Sequence, residues 1–394
     1  MNDTAAKPLS GRAAIVGIGA TEFSKNSGRS ELRLAAEAVT AAVSDAGLRM
    51  SDVDGLVSFT QDTSMEIAVA RAAGIDELTF FSRINYGGGA ACATVQQAAM
   101  AVATGVADVV VCYRAFNERS GQRFGQVMTG VAAAPMSSGV DAGWTYPMGL
   151  STPAAWVAMN ARRYMHEYGA TSEDFGAVAV ADRAHAATNP KAWFFEKPLT
   201  IEQHQASRWV AEPLRLFDCC QESDGGVAIV VTSAERAKDL VHPPVSIAAA
   251  AQGSSSDQFI MASYYRDDVA ALPEMNVVGR QLWAQSGRRP EDVDTAVLYD
   301  HFTPFVLMQL EELGFCGRGE AKDFVKDGAI GLGGRLPLNP HGGQLGEAYI
   351  HGMNGIAEGV RQIRGTAVNQ IADAKTVLVT AGTGVPTSGL ILTD

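Results

Sequence analysis

The chain has 394 residues, 47% apolar and 19% charged, which excludes a disordered protein and gives about two to three times a single-domain length. Its net charge of −12, without a basic run, argues against nucleic-acid binding, because a phosphate backbone calls for clustered Lys and Arg. No apolar run reaches the roughly 20 residues of a membrane span and the N-terminus lacks an apolar signal core, so a soluble, cytoplasmic protein is expected.

The first β-run is Ala13–Ile18. Gly17 and Gly19 close it, but a dinucleotide fingerprint needs a third glycine where Glu22 stands. Leu32, Ala36, Val39 and Val43 form a helical stripe ended by Gly47, and Leu56–Phe59 reads as a strand. A turn at Tyr86–Gly89 then feeds an Ala-rich helix to Gly105 and a buried strand at Val109–Cys112. From about Arg114 to Gln221 a segment rich in Arg, Met and aromatics reads as an inserted lid or loop region. Cys219 and Cys220 end a further β-run and are expected as buried structural thiols. A second series follows: strand Val245–Ala250, a helix through Val278 and Leu282 to Gly287, and strand Ala296–Tyr299. It closes with a Gly-rich turn at Tyr349–Gly355, a helix to about Arg364 and strand Thr376–Thr380.

The two series are a repeat. AGLRMSDVDGLV (46–57) superposes without a gap on SGRRPEDVDTAV (286–297), with Gly47 on Gly287 and Asp54 on Asp294. Two β-α-β copies predict a duplicated α/β fold with a pseudo-twofold axis, its halves spanning 1–235 and 236–394. The odd cysteine set (Cys92, Cys112, Cys219, Cys220, Cys316) has no C-x-x-C spacing, which argues against a disulfide frame or structural zinc. Ser151 and Ser388 lack the G-x-S-x-G elbow of a serine hydrolase.

The duplicated layout, the Gly-rich turn before the Ala-rich helix, Asp224–Ala228 and the stretch from Gly342-Gly343 to His351-Gly352 resemble the thiolase superfamily. Tyr299–Pro304, Glu312–Cys316 and Gly346–Asn354 are similar to one branch, the lipid-transfer-protein-type steroid side-chain aldolases of actinobacteria. The resemblance implies a thiolase fold, with the duplicated halves in a five-layer α-β-α-β-α arrangement. It also implies what is missing. The place of the thiolase nucleophile falls at Gly88, with Cys92 one helical turn later, and the place of the acid/base cysteine is Thr380, in Thr380–Gly384. Only the histidine of the G-H-P motif remains, as His351, so covalent Claisen chemistry is expected to be lost.

Retro-aldol cleavage needs no nucleophile. It needs a base for a β-hydroxyl proton, an oxyanion hole for the thioester enolate and an acid for its carbon. Tyr299, in the place of the asparagine of the thiolase N-E-x-F loop, and Tyr349 are the catalytic candidates, tuned by His301 and His351. A helix N-terminus and histidine donors are expected to lower one phenol enough to serve as base. Gly88, Gly382, Asp300 and Cys92 are candidates for the oxyanion and substrate-binding wall; Asp300 either holds His301 or shapes its loop, and His341 reads as a turn residue. Arg114, Arg119, Arg123, Arg162 and Arg163 are available for CoA phosphates, and Trp144, Tyr146, Met148, Trp156, Met159, Trp193, Phe194 and Phe195 for a steroid slot.

The branch implies a 17-hydroxy steroid C22-acyl-CoA as substrate, with a 17-keto steroid and propionyl-CoA as products. It implies a homodimer that recruits an OB-fold, zinc-ribbon accessory protein associated with a hydratase, giving a heterotetramer. This chain is expected to hold no cofactor, with zinc on the partner alone. Two other classes stay open: a thiolase or acyl-CoA transferase working through Cys92, and a non-catalytic lipid or acyl-CoA binding subunit.

Overall fold

A computed structural model describes residues 9–85, 87–121, 123, 143–256, 258, 261, 264, 266–382 and 387–394. The chain alternates strand and helix: β1 (Ala13–Ala20), α1 (Glu31–Asp45), β2 (Gly55–Phe59), α2 (Glu66–Ala73), β3 (Phe80–Ile84), α3 (Ala91–Ala103) and β4 (Val109–Asn117). Helices α4 (Pro153–Tyr168) and α5 (Ser172–Thr188) precede β5 (Asp224–Ser233) and β6 (Val245–Gly253). The second series is α6 (Pro273–Ser286), β7 (Thr295–Val297), α7 (Thr303–Glu312), α8 (Met353–Arg364), β8 (Thr376–Ala381) and β9 (Thr387–Thr393).

The central strands are near-continuous Ala, Val, Ile and Leu runs, which suits a sheet covered on both faces. The nine strands run in the order β3-β2-β4-β5-β1-β6-β9-β8-β7. The halves join where β1 pairs antiparallel with β6, Ala14 facing Ser246 and Ile15 facing Val245. Three apolar clusters separate the layers. α1 and α2 cover one outer face, α3 and α8 fill the space between the two half-sheets, and α4 to α7 cover the other outer face. That is the α-β-α-β-α order.

The repeated aspartates explain the sequence symmetry. Asp54 accepts the Asp108 and Val109 N–H groups at the start of β4, and Asp294 accepts those of Lys375 and Thr376 at the start of β8. Gly47 and Gly287 both adopt positive φ, 70° and 71°, just beyond their helices, where a side chain would be strained.

Three local expectations change. The segment after Arg114 is not a lid throughout: β4 runs on to Asn117, and α4 and α5 pack into the outer core, while residues 122 and 124–142 lie outside the described residues. Cys219 and Cys220 follow a single turn at Leu216–Asp218 instead of a strand, and the Cys220 N–H donates to the His301 carbonyl at 2.8 Å. Tyr299 stands beyond the end of β7, not within it.

Candidate active site

The loop after β7 carries Tyr299, and its backbone is anchored from two sides. The Tyr299 N–H donates to the Thr380 hydroxyl at 2.9 Å, and Gln309 Nε2 donates to the Tyr299 carbonyl at 2.9 Å. Thr380 Oγ1 donates in turn to Gln309 Oε1 at 2.7 Å, so the residue in the place of a thiolase acid/base cysteine braces this loop. Tyr349 approaches from the turn before α8, its N–H donating to Ser223 Oγ at 3.2 Å. The two phenol oxygens meet at 3.1 Å.

Gly88 makes this meeting possible. A Cβ built on it would lie 1.7 Å from Tyr299 Oη and 2.3 Å from Cζ. The tyrosine hydroxyl therefore occupies the room a nucleophilic side chain at position 88 would need. Gly382 presses its backbone on the same turn, where a Cβ would lie 2.4 Å from the Gly89 nitrogen. Ser388 braces the turn as well, accepting the Ala93 N–H at 3.1 Å and donating to the Gly89 carbonyl. Tyr86 and residues 383–386 lie outside the described residues.

Both histidines border the tyrosines. The His301 ring centroid is 4.6 Å from that of Tyr299, and the His351 ring lies 5.0 Å from that of Tyr349. His351 Nδ1 accepts from Arg114 Nε at 3.1 Å. A guanidinium can only donate, so the ring proton of neutral His351 sits on Nε2, which makes that nitrogen a hydrogen-bond donor. Arg114, fully buried, is itself paired with buried Asp62. Burial pushes His351 well below the usual imidazole value, with the Arg114 charge adding to it, and pushes His301 down to about 3. Both rings are neutral near pH 7.

The phenols move opposite to expectation. Burial raises Tyr299 and Tyr349 well above 10, and the charge of Glu118 adds to the rise in both. No histidine cation is present to offset desolvation, so both hydroxyls stay protonated.

These residues line a cavity of about 360 Å³, within the size range of small-molecule sites. Gly87, Gly88, Gly89 and Gly382 form one wall, and Cys219 and Cys220 line another, with Cys219 Sγ 3.6 Å from the Arg215 carbonyl and packed against the outer core. Two predicted wall residues are corrected. Cys92 is fully buried away from the cavity, its Sγ 3.7 Å from the Val379 carbonyl, and burial alone raises its thiol. Asp300 is also fully buried and shapes the loop: its carboxylate accepts the Gln344 and Leu345 N–H groups at 2.8 and 3.0 Å.

Of the aromatic candidates, Trp156 alone lines this cavity; Trp144 and Met148 are 73% and 80% exposed, and Trp193 borders a separate one. Among the described residues, Pro153, Ala154, Val210, Leu216, Met261 and Phe302 add to the apolar wall. Arg119 reaches the cavity, whereas Arg123, Arg162 and Arg163 pair with Glu222, Glu212 and Glu167. Lys25, Arg208 and Glu118 also line it and were missed, since nothing in their local sequence marks them. His341 is buried elsewhere, 3.9 Å from Glu347. Among the described residues no three His, Cys, Asp or Glu side chains converge as a metal site.

Two family models match the chain, thiolase N-terminal domain over residues 13–235 and thiolase C-terminal domain-like over 253–393. The chain is 76% identical over 384 residues to the 17-hydroxy-3-oxo-4-pregnene-20-carboxyl-CoA lyase of Mycobacterium tuberculosis, covering 98% of this chain and 100% of that one. It is 71% identical over 387 residues to the steroid side-chain-cleaving aldolase of Thermomonospora curvata, covering 98% of each. A solved Ltp2–ChsH2(DUF35) aldolase superposes with a TM-score of 0.94 at 70% identity, again covering 98% of each chain. Human mitochondrial 3-ketoacyl-CoA thiolase shares the fold, with a TM-score of 0.67 at 16% identity over 98% of this chain and 99% of that one.

Proposed function

The chain belongs to the thiolase family, in the branch of the steroid side-chain-cleaving aldolases, and from that premise we propose that it is a CoA-thioester retro-aldolase. It cleaves the C17–C20 bond of a 17-hydroxy-3-oxo-pregnene-20-carboxyl-CoA type substrate to a 17-keto steroid and propionyl-CoA. The observation that carries this reading is the Tyr299 hydroxyl standing 1.7 Å from where a side chain at position 88 would begin, bonded to Tyr349 at 3.1 Å. A phenol pair replaces the thiol, and the buried Cys92 offers no alternative.

In the cleavage the hydroxyl O–H electrons become the second bond of the new ketone, and the C17–C20 pair moves to the α-carbon as a thioester enolate. One phenol receives the hydroxyl proton while the other gives its own to the enolate carbon. The contact between the two hydroxyls lets the proton gained by one replace the proton lost by the other. We assign the enolate oxygen to the His351 Nε2–H and the backbone N–H groups of Gly87–Gly89 and Gly382, residues that line the cavity, each donor worth about 2.7–4 kcal/mol in such a role. His301 packs against Tyr299 and holds its ring in place.

We further propose that the enzyme works in the cytoplasm, in cholesterol-type steroid side-chain degradation, as a homodimer joined by an accessory protein. Support for the partner is the similarity to the Ltp2–ChsH2(DUF35) aldolase; zinc, as part of this proposal, belongs to that partner. The test of the tyrosine assignment is Tyr299→Phe and Tyr349→Phe. Each variant should lose turnover by about 10²–10⁴-fold at unchanged substrate affinity. Near-normal turnover in both would remove the tyrosines from the mechanism.

A further inference from the structure

The retro-aldol reading leaves several groups of the cavity without a role, and one of them is a buried carboxylate. Glu118 directly follows β4, is 2% exposed and lines the same cavity as Tyr299 and Tyr349. Among the described residues its Oε2 has no hydrogen-bond partner. The cations nearby are engaged elsewhere: Lys25 Nζ donates to Gln221 Oε1 and the Glu222 carbonyl, and Arg114 is held by Asp62 and His351. A buried carboxyl oxygen without a donor costs folding free energy, and here it sits on the wall of the reaction cavity. The two phenols alone lack a base: both are held protonated, and both neighbouring imidazoles are poor proton acceptors.

Resting on the retro-aldol reading, we propose that Glu118 Oε2 is the proton acceptor that drives the tyrosine pair. Because Oε2 is bonded to neither phenol, the relay runs through one bridging water: as the β-hydroxyl proton passes to one phenol, that phenol's own proton passes through the water to Glu118, so carboxylate basicity meets the hydroxyl. The second phenol protonates the α-carbon and is left as phenolate. The proton then returns from Glu118 through the first tyrosine to the second, and the cavity keeps one negative charge throughout, so no charge has to be created in a buried site. Burial, reinforced by Glu222, lifts Glu118 well above the usual carboxylate value, which brings it closer to the phenols it serves. The charged and titratable groups that influence it or share its cavity are Lys25, Arg114, Arg119, Glu222, Cys220 and the two tyrosines.

The experiment follows 17-ketone release from a 17-hydroxy steroid acyl-CoA, with the accessory partner present, across about pH 5 to 9. Wild type should lose turnover on the acid side as Glu118 protonates. Glu118→Gln should bind substrate as tightly, turn over at least about 100-fold more slowly and show no acid limb. Glu118→Asp should keep a limb displaced in pH, and it supplies the answer if the Gln variant does not fold. Near-wild-type turnover in Glu118→Gln, or the same acid limb in either variant, would overturn the proposal and move the limb to a group such as Asp300. A wild type that does not cleave at all would instead overturn the lyase reading.

Discussion

Gly88→Ala is the smallest change that probes the replacement of thiol by phenol. The new Cβ would lie 1.7 Å from Tyr299 Oη, and contacts under 3.0 Å are not tolerated, so the hydroxyl must retreat by more than about 1 Å. There is little room for it. His301 packs on the ring at 4.6 Å between centroids, and Gly352 lies so close that a Cβ there would be 3.1 Å from the ring edge. Retreat breaks the 3.1 Å contact with Tyr349 and misplaces the proton path. A displacement of this size costs about 10²-fold in rate, and overpacking costs about 1–3 kcal/mol in stability. Steady-state 17-ketone release should therefore fall about 100-fold in a variant that still folds and still binds substrate. A Gly88→Ala enzyme with turnover close to wild type would refute the reasoning, because Tyr299 Oη then could not be where the chemistry happens.

Cys92→Ala should leave turnover and its independence of free CoA unchanged, since the thiol is buried beside the Val379 carbonyl; loss of cleavage at intact stability would revive a thiol mechanism. His301 gives a signed pH effect. Its folded-state value, about 3, lies below the ordinary imidazole value, so the unfolded chain binds the extra proton, and the stabilisation present above about pH 6.5 is lost as pH falls toward 3. Wild type should therefore lose denaturant resistance relative to His301→Leu between pH 7 and pH 5, and parallel curves would contradict the buried neutral ring.

The repeat was readable because its aspartates do a backbone job that recurs once per half: each carboxylate caps the first N–H groups of a parallel strand. Gly88 was readable by its place relative to the Ala-rich helix. The tyrosines were marked by their neighbours in the motif. What the sequence hides is burial. Arg114 looks like a phosphate ligand until β4 carries it into the core against Asp62, and Glu118, the next acidic residue on that strand's exit, looks like a solvated charge. The same blindness reversed the phenol argument, because desolvation outweighs donors that turn out to be neutral imidazoles. The aromatic list failed for a geometric reason: Trp144 and Met148 stand exposed before α4, Trp193, beyond α5, borders a different cavity, and of that list Trp156 on α4 lines this one.

The central claim is that a carbon–carbon bond is broken without a cysteine and without a second CoA. The direct measurement incubates the chain, with the proposed accessory protein, with a 17-hydroxy steroid acyl-CoA and follows 17-ketone and propionyl-CoA with and without added free CoA. Equal release in both, with propionyl-CoA formed in equal amount to the ketone, is the result expected of a retro-aldolase. Release only when free CoA is supplied would mean thiolysis and contradict the account.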